Sequence, residues 1–199
     1  MTRSVPRIAV RRENTVFLVQ DMQRFLTDPN AGIGAIAADR GVSTEFDEYY
    51  EQVSMVTANI IRLRDFLSSL GIPTWYTRWI SEPSGSKTAL NTALDIVPED
   101  GEQAAEIIES ISPAHNRNVF EKPAFSAFSS SILSSTLSEC RIENIVLCGV
   151  MTEIGIQATA LQAMDLGYRP MIVGDCCAAM TFATNELALD GLSFGVAKI

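Results

Sequence analysis

Three places in the 199-residue sequence combine an apolar, strand-like run with residues that can carry chemistry. The run TVFLVQD ends in Asp21, the run NVFEK ends in Lys122, and the run NIVLC leads into Gly149–Gly155. A carboxyl group at the end of an apolar strand prefers to be neutral unless a cation lies beside it. If Lys122 supplies that cation, the two groups form a tuned proton donor or acceptor. The alternative is that Asp21 caps a turn and Lys122 is solvated.

The hydrophobic pattern predicts the elements that would position these residues. Strands alternate with helices, which indicates a doubly wound α/β fold, a three-layer sandwich with a mostly parallel central sheet. Ligands of such sheets bind beyond the carboxyl ends of the strands, so the three places could share one pocket. We expect one domain over residues 1–199. Strands are predicted at 14–21, 73–78, 118–122, 144–150, 170–175 and 196–199, and helices at 49–70, 102–111, 129–140, 156–167 and 185–192.

The segments 22–44 and 79–101 are predicted to be long loops, because they are irregular and rich in polar residues, glycine or proline. Whether they close over the pocket is left open. Within the first of them, GIGAIA at 32–37 matches a dinucleotide-binding fingerprint, but TDPN precedes it where that motif needs a strand. We therefore predict a flexible active-site loop there rather than a cofactor site.

A second motif, GLSFG at 191–195, matches the nucleophile elbow of serine hydrolases. The elbow needs a strand before the serine, a helix after it and a histidine further along the chain. Here a helix is predicted before Ser193, a strand follows, and no histidine lies downstream. We interpret the motif as a helix-to-strand turn.

Composition argues against several kinds of partner. The formal net charge is −9, and basic residues are scattered, which is unlike nucleic-acid binders and proteins of anionic membrane surfaces. The only histidine, His115, excludes a multi-histidine zinc site and is interpreted as a loop residue. We predict neither a metal nor another cofactor.

The sequence also favours a cytoplasmic location. No apolar run approaches the roughly 20 residues of a membrane helix, and the first residues lack the apolar core of a signal peptide. Cysteines in such a compartment are thiols rather than disulfide partners. The four cysteines are Cys140, Cys148, Cys176 and Cys177, and the last three are interpreted as structural.

Four segments, in order along the chain, resemble the isochorismatase-like hydrolases, a superfamily also called the cysteine hydrolases. They are VFLVQDMQ, EKPAFSAF, LCGVMTEIGIQATALQAMDLGY and VGDCCA. They match the family's strand ending in D-x-Q, its lysine followed by S-A-F, and its G-V-x-T corner with the helix after it. The similarity spans about residues 14 to 180, nearly the whole chain.

The resemblance implies a triad of Asp, Lys and Cys, in which the amidohydrolase members attack a carbonyl with the thiolate. Asp21 falls on the Asp position and Lys122 on the Lys position. The cysteine position, three residues after Thr152, holds Gly155. Attack from position 155 is therefore excluded.

The true isochorismatases also have glycine at this place. The resemblance to them implies hydrolysis of a vinyl ether, with release of pyruvate and no covalent intermediate. It makes Asp21 the acid that protonates the enol-ether carbon, while Lys122 holds it and binds a substrate carboxylate, and Gly155 leaves room for the ring or water. It also implies a cis peptide between Val150 and Met151, which would direct the N–H groups of Met151 and Gly155 into the pocket. The substrate-binding positions implied are Met151, Thr152, Gln23, Phe25, Arg78 and Trp79.

Three functions remain open at this point. The first is a non-covalent hydrolase of a vinyl ether, and the second is a hydrolase of an amide or other small molecule in which Asp21 activates water. The third is a catalytically silent homologue that binds a small ligand or a partner protein. The histidines of nicotinamidases are absent after the second strand, where TRWISEPSG stands, so the resemblance implies no metal. It does imply a small-molecule substrate and a homo-oligomer, either a dimer or a tetramer.

Overall fold

The structure, a computed structural model, describes residues 10–81, 98, 101–113, 118–193 and 197–198. Six parallel strands form one sheet. The strands are β1 (Thr15–Gln20), β2 (Thr74–Trp79), β3 (Val119–Lys122), β4 (Asn144–Val150), β5 (Arg169–Ala178) and β6 (Ala197–Lys198). The helices are α1 (Arg24–Thr27), α2 (Gly32–Asp39), α3 (Asp47–Ser69), α4 (Ser131–Glu139), α5 (Gln157–Asp165) and α6 (Phe182–Leu192), and a π-helical turn, Thr152–Ile156, leads into α5.

The order of the strands, β3-β2-β1-β4-β5-β6, places the reversal of the sheet between β1 and β4. The chain first runs outward from β1 to β3 and then crosses to the other side of β1. Because crossovers between parallel strands are right-handed, α3 and the pair α4 and α5 cover opposite faces of the sheet. The α/β sandwich predicted from the sequence is confirmed, and the reversal lies where such folds bind ligands.

The two central strands owe their position to uniform hydrophobicity. Every residue of β1 and of β4 is buried, as expected for parallel strands that are covered on both faces. Helix α3 presents an apolar stripe to this sheet, and it contacts β1, β4 and β5. No helix within the described part of the chain has both the length and the apolar character needed to cross a membrane.

Two predictions of local structure are wrong. Residues 22–44 contain α1 and α2 rather than one irregular loop, and GIGAIA begins α2. Residues 102–111 form only two 3-10 turns, Gln103–Ala105 and Glu109–Ile111, instead of a helix. Between these turns the backbone binds the segment after β1, since Arg24 N donates to Glu106 O and Ile108 N donates to Met22 O. Those bonds take the place of the i to i−4 bonds of a helix.

The other expectations about motifs have mixed outcomes. The first two residues of GLSFG end α6 and the motif precedes β6, so Ser193 follows the last turn of a helix and is no nucleophile elbow. His115 and most of the predicted loop 79–101 lie outside the described residues. Nothing in the fold tests whether residues 22–44 close over the pocket, so that question stays open. The single domain predicted over residues 1–199 likewise stays a prediction.

Gly149 marks the closest approach between β1 and β4. It is paired with Gln20 in the sheet and has a φ of 122°, a conformation that only glycine adopts readily. A Cβ atom at this position would lie 2.0 Å from the carbonyl oxygen of Gln20. The backbones of β1 and β4 therefore pack against each other with no room for a side chain at Gly149, directly beside the position of Asp21.

Replacing Gly149 by alanine should destabilise the fold by about 2 to 4 kcal/mol, because the methyl group meets backbone and the φ is unfavourable. The measurement is the midpoint of urea unfolding. Gly191→Ala is the matched control, since no described atom beyond its chain neighbours and its own helix backbone lies within 4 Å of a Cβ atom there. That control should be neutral or stabilising by up to about 1 kcal/mol. Equal midpoints for the two variants would contradict the assigned close approach.

Candidate active site

The structure brings Asp21 and Lys122 into contact at the carboxyl edge of the sheet. Lys122 Nζ lies 2.7 Å from Asp21 Oδ2, and both residues are buried. Asp21 follows β1, whereas Lys122 ends β3, with β2 between them. Two strand spacings, about 10 Å, are bridged by the long side chain of lysine. The alternative of a capping aspartate and a solvated lysine is thereby excluded.

The ammonium group of Lys122 has an acceptor for each of its three N–H bonds. Besides Asp21, it donates to the carbonyl oxygen of Ala124 at 2.8 Å and to that of Phe125 at 3.0 Å. No N–H bond is left for a substrate. The expected second role of Lys122, direct binding of a substrate carboxylate, is therefore not supported by this geometry.

The carboxyl group of Asp21 is held by donors on several sides. Thr77 Oγ1 donates to Oδ1 at 2.7 Å, and Gln20 Nε2 makes a longer contact of 3.4 Å with Oδ2. Burial raises the pKa of Asp21, and the opposing effects of Lys122 and of these hydrogen bonds do not return it to the ordinary value. Burial likewise lowers the pKa of Lys122 despite the neighbouring carboxyl group. The site thus holds a strongly coupled acid and amine shielded from water.

Gly155 lies beside this pair, in the π-helical turn that follows β4. A Cβ atom at position 155 would lie 3.6 Å from Asp21 Oδ2 and 3.5 Å from the carbonyl oxygen of Val150. It would also lie 2.6 Å from Gln20 Nε2, which is too close for an undisturbed contact. Position 155 thus faces the acid, as the sequence predicts, but the space next to it contains an amide group.

Two of the predicted substrate-binding residues form an aromatic wall. The rings of Phe25 and Trp79 meet edge to face with centroids 6.2 Å apart. Trp79 also lies 6.2 Å from the ring of Phe125, whose carbonyl oxygen accepts from Lys122. The wall is largely buried and adjoins the acid–amine pair. A substrate role for Phe25 and Trp79 stays a prediction that this position supports.

Two other predicted substrate contacts are used elsewhere. The Gln23 side chain donates to the carbonyl oxygens of Trp79 and Ala105 and accepts from Trp79 N at 2.7 Å. Arg78 is ion-paired with Glu106, at 2.6 Å, and with Glu121. Both side chains therefore tie β2 to neighbouring segments, and the structure gives no support to their contact with a substrate.

The corner after β4 contains the remaining predicted contacts. The peptide bond between Val150 and Met151 is cis, as the family resemblance implies. Met151 is partly exposed, and Thr152 is buried with a hydroxyl group that has no hydrogen-bond partner among the described residues. Within the same described part of the chain, the buried hydroxyl group of Tyr49, from the start of α3, also lacks a partner. Unsatisfied hydroxyl groups of this kind are available to a ligand, so binding by Met151 and Thr152 stays a prediction.

Three of the four cysteines have the properties of structural thiols, and Cys140 is exposed. All four are free, and Cys148, Cys176 and Cys177 are buried. Burial raises the pKa of Cys176 to about 12 and that of Cys148 well above the ordinary value. A thiol in that state is not the thiolate that attacks a carbonyl. Across the residues that the structure describes, no three His, Cys, Asp or Glu side chains are grouped so as to hold a metal ion.

Three polar residues of the site were not predicted from the sequence. Gln20, Thr77 and Thr159 are each fully buried, and all three belong to the hydrogen-bond network around Asp21. Gln20 carried a visible signal, because it is a polar residue inside the buried run VFLVQD. Thr77 and Thr159 carried none, since threonine is common in strands and tolerated in helices.

The sequence of the chain is similar to those of several known proteins. Residues 15–199 match the sequence profile described as the isochorismatase domain. Enterobactin synthase component B of Escherichia coli (strain K12) is 30% identical over 131 residues, which are 63% of this chain and 45% of that protein. The isochorismatase of Bacillus subtilis (strain 168) is 26% identical over 176 residues, which are 88% of this chain and 51% of that protein. The chain thus spans about half the length of these two relatives.

A solved structure gives the same fold. The pyrazinamidase/nicotinamidase from Streptococcus mutans UA159 superposes with a TM-score of 0.74 at 20% sequence identity, covering 94% of this chain and all of that one. At this level of identity the likeness establishes the architecture alone.

Removing the cation from the buried pair should expose its energetic role. Lys122→Met leaves Asp21 buried without its cation, which should cost about 3 to 5 kcal/mol near neutral pH. The Asp21 pKa then rises further, so stability is retained at low pH and lost as the pH increases through that raised pKa. Urea unfolding between about pH 5 and about pH 9 measures the slope.

The double variant Asp21→Asn with Lys122→Met is the matched control, because it removes both charges. It should lack the pH-dependent part of the loss. A Lys122→Met deficit of equal size at both ends of the pH range would contradict a buried, coupled pair.

Proposed function

The chain belongs to the isochorismatase family, and on that premise we propose that it hydrolyses a small molecule without a covalent intermediate, with Asp21 as the general acid. The observation that carries the proposal is the buried contact of Asp21 with Lys122 directly beside Gly155. Proton-transfer machinery is present at that point, and the neighbouring residue has no side chain with which to attack.

The missing nucleophile favours a reaction that does not need one. In vinyl-ether hydrolysis, a proton from Asp21 is added to the enol-ether carbon and leaves an oxocarbenium ion. Water adds to that ion and gives up a proton to Asp21, which restores the acid, and the hemiketal collapses to pyruvate and an alcohol. The similarity to an isochorismatase supports this substrate class. No bond between enzyme and substrate forms at any stage.

The direction in which the pKa of Asp21 is shifted supports the same assignment. A general acid is effective when its pKa lies near the working pH, and burial raises the pKa of Asp21 in that direction. The three N–H bonds of Lys122 are donated to Asp21 and to two carbonyl oxygens, so we assign Lys122 the role of positioning the acid. We assign the aromatic wall of Phe25 and Trp79 the role of contacting the apolar part of the substrate.

One observation favours a second candidate. Three donors surround the carboxyl group, from Lys122, Thr77 and Gln20, and such a ring suits the ionised form. An ionised Asp21 would activate water as a base, for example against an amide. A third possibility, a silent homologue, fits the loss of the thiol. A cytoplasmic location and a homo-oligomeric state stay predictions that rest on composition and resemblance.

The direct test is pyruvate release from isochorismate, followed with a coupled lactate dehydrogenase assay. Asp21→Asn should lower kcat by about a hundredfold to ten-thousandfold, because it removes the proton donor while keeping the shape of the side chain. Asp165→Asn, at an exposed position of α5, is the matched control and should retain full activity. Turnover that persists in Asp21→Asn would exclude Asp21 as the acid, whereas a wild type that turns over neither isochorismate nor amides would favour the silent homologue.

The pH dependence separates acid from base. If Asp21 donates a proton, kcat is full below its raised pKa and falls as the pH increases through it. If Asp21 instead accepts a proton, kcat rises with pH through the same range. Initial rates measured across pH, with circular dichroism to verify folding at each point, give the sign of the limb. A rising limb that Asp21→Asn abolishes would replace the first candidate by the second.

A further inference from the structure

The side chain of Gln20 fills the space beside Gly155. A Cβ atom at position 155 would lie 2.6 Å from Gln20 Nε2, and Gln20 itself is fully buried. The carboxamide therefore occupies the place into which a side chain at 155 would project. A flexible side chain could give way, so the question is whether Gln20 is free to move.

Hydrogen bonds fix the carboxamide where it is. Thr159 Oγ1 accepts the N–H of Ala127 at 2.9 Å, so its own hydrogen is available to donate. It donates to Gln20 Oε1 at 2.7 Å, which determines which end of the amide is oxygen. Gln20 Nε2 then faces the site and donates to the carbonyl oxygen of Phe125 at 3.0 Å. Displacing the amide would leave its own polar atoms and the hydroxyl hydrogen of Thr159 unpaired, which is costly.

Gln20 and Lys122 share their acceptors. The carbonyl oxygen of Phe125 accepts from both side chains, each at 3.0 Å. Asp21 Oδ2 also contacts both, at 2.7 Å from Lys122 and at 3.4 Å from Gln20. The amide group thus contacts the acid on the side where residue 155 has no side chain, while Lys122 contacts the same carboxyl oxygen.

We propose that Gln20 is a positioning residue that stands in for the absent side chain at position 155, so that residues 20 and 155 form one coupled pair. Its amide group holds Asp21 and the Phe125 carbonyl in register, and its volume excludes a thiol from position 155. The first of these roles rests on the proposed function of Asp21, whereas the second concerns packing alone. A cysteine introduced at 155 by itself therefore cannot restore the covalent site.

The packing role is tested without any substrate, by a double-variant cycle on the urea midpoint. Gly155→Cys should lower the midpoint in the wild-type background, and by less than half as much in the Gln20→Ala background, where the amide is gone. In a Gln20→Leu background, which refills the space, the full loss should return. Equal losses from Gly155→Cys in the Gln20→Ala and wild-type backgrounds would overturn the coupling.

The positioning role is tested by the pH profile of pyruvate release. A donor from Gln20 lowers the pKa of Asp21, so removing it raises that pKa and moves the limb of the profile to higher pH. Gln20→Leu should shift the limb upward and lower kcat at least tenfold with KM within twofold of the wild type. Gln20→Glu, which adds a negative charge beside Asp21, should shift the limb further.

A buried glutamine elsewhere provides the control. Gln52 is also buried, and its amide group bonds the backbone of Ala179. Gln52→Leu should lower the urea midpoint and leave the limb in place. If Gln20→Leu behaves like Gln52→Leu, the positioning role fails. If the wild type releases no pyruvate, the proposed function fails, and the double-variant cycle still decides the packing role.

Discussion

A buried contact between an acid and an amine, Asp21 with Lys122 at 2.7 Å, sets the requirements for the whole carboxyl edge of the sheet. Each group loses its hydration, and only well-placed hydrogen bonds recover that cost. The carbonyl oxygens of Ala124 and Phe125 and the hydroxyl group of Thr77 supply them. The turn after β3 and the end of β2 are therefore shaped by the needs of the pair as well as by the core. A site of this kind gives proton chemistry at the expense of stability, since the same groups replaced by apolar ones would not need such support.

The parallel sheet makes the contact possible by ordering its strands around β1. The acid follows the central strand β1, and the amine ends β3, which lies two strands away on one side. The corner at Gly155 follows β4, the adjacent strand on the other side. Gly149 lets β1 and β4 approach closely at that level. Helix α3, on one face, places the hydroxyl group of Tyr49, which has no hydrogen-bond partner among the described residues, in the same buried region as the acid. Burial is the main cause that raises the Tyr49 pKa, and Tyr50, Glu153 and Asp21 raise it further. Each element therefore contributes one group to a single region, and none of them forms the site alone.

Buried parallel strands are continuous apolar runs, and the family resemblance implied that Asp21, Lys122 and Gly155 share one site. The sequence pattern alone was sufficient for the strands, but it only allowed a convergence at one edge and left a capping aspartate and a solvated lysine open. It was insufficient for residues 102–111, whose helical pattern is overridden by backbone bonds to the segment around Met22. It was also insufficient for the amide of Gln20, since its partner Thr159 lies 139 residues further along the chain. Periodicity reports the face of an element, whereas these features depend on which distant backbone or side chain completes a hydrogen bond. The same limit applies to Arg78, whose charge is visible in the sequence but whose glutamate partners are not.

The interlocking of Gln20 with Gly155 bears on how such sites diverge in evolution. A cysteine acquired first would collide with the amide, and a small residue acquired first would leave a void and an unpaired hydroxyl group on Thr159. Either single substitution is therefore expected to destabilise this chain. Positions 20 and 155 are accordingly expected to change together in evolution rather than one at a time, since a side chain gained at 155 alone meets the amide of Gln20.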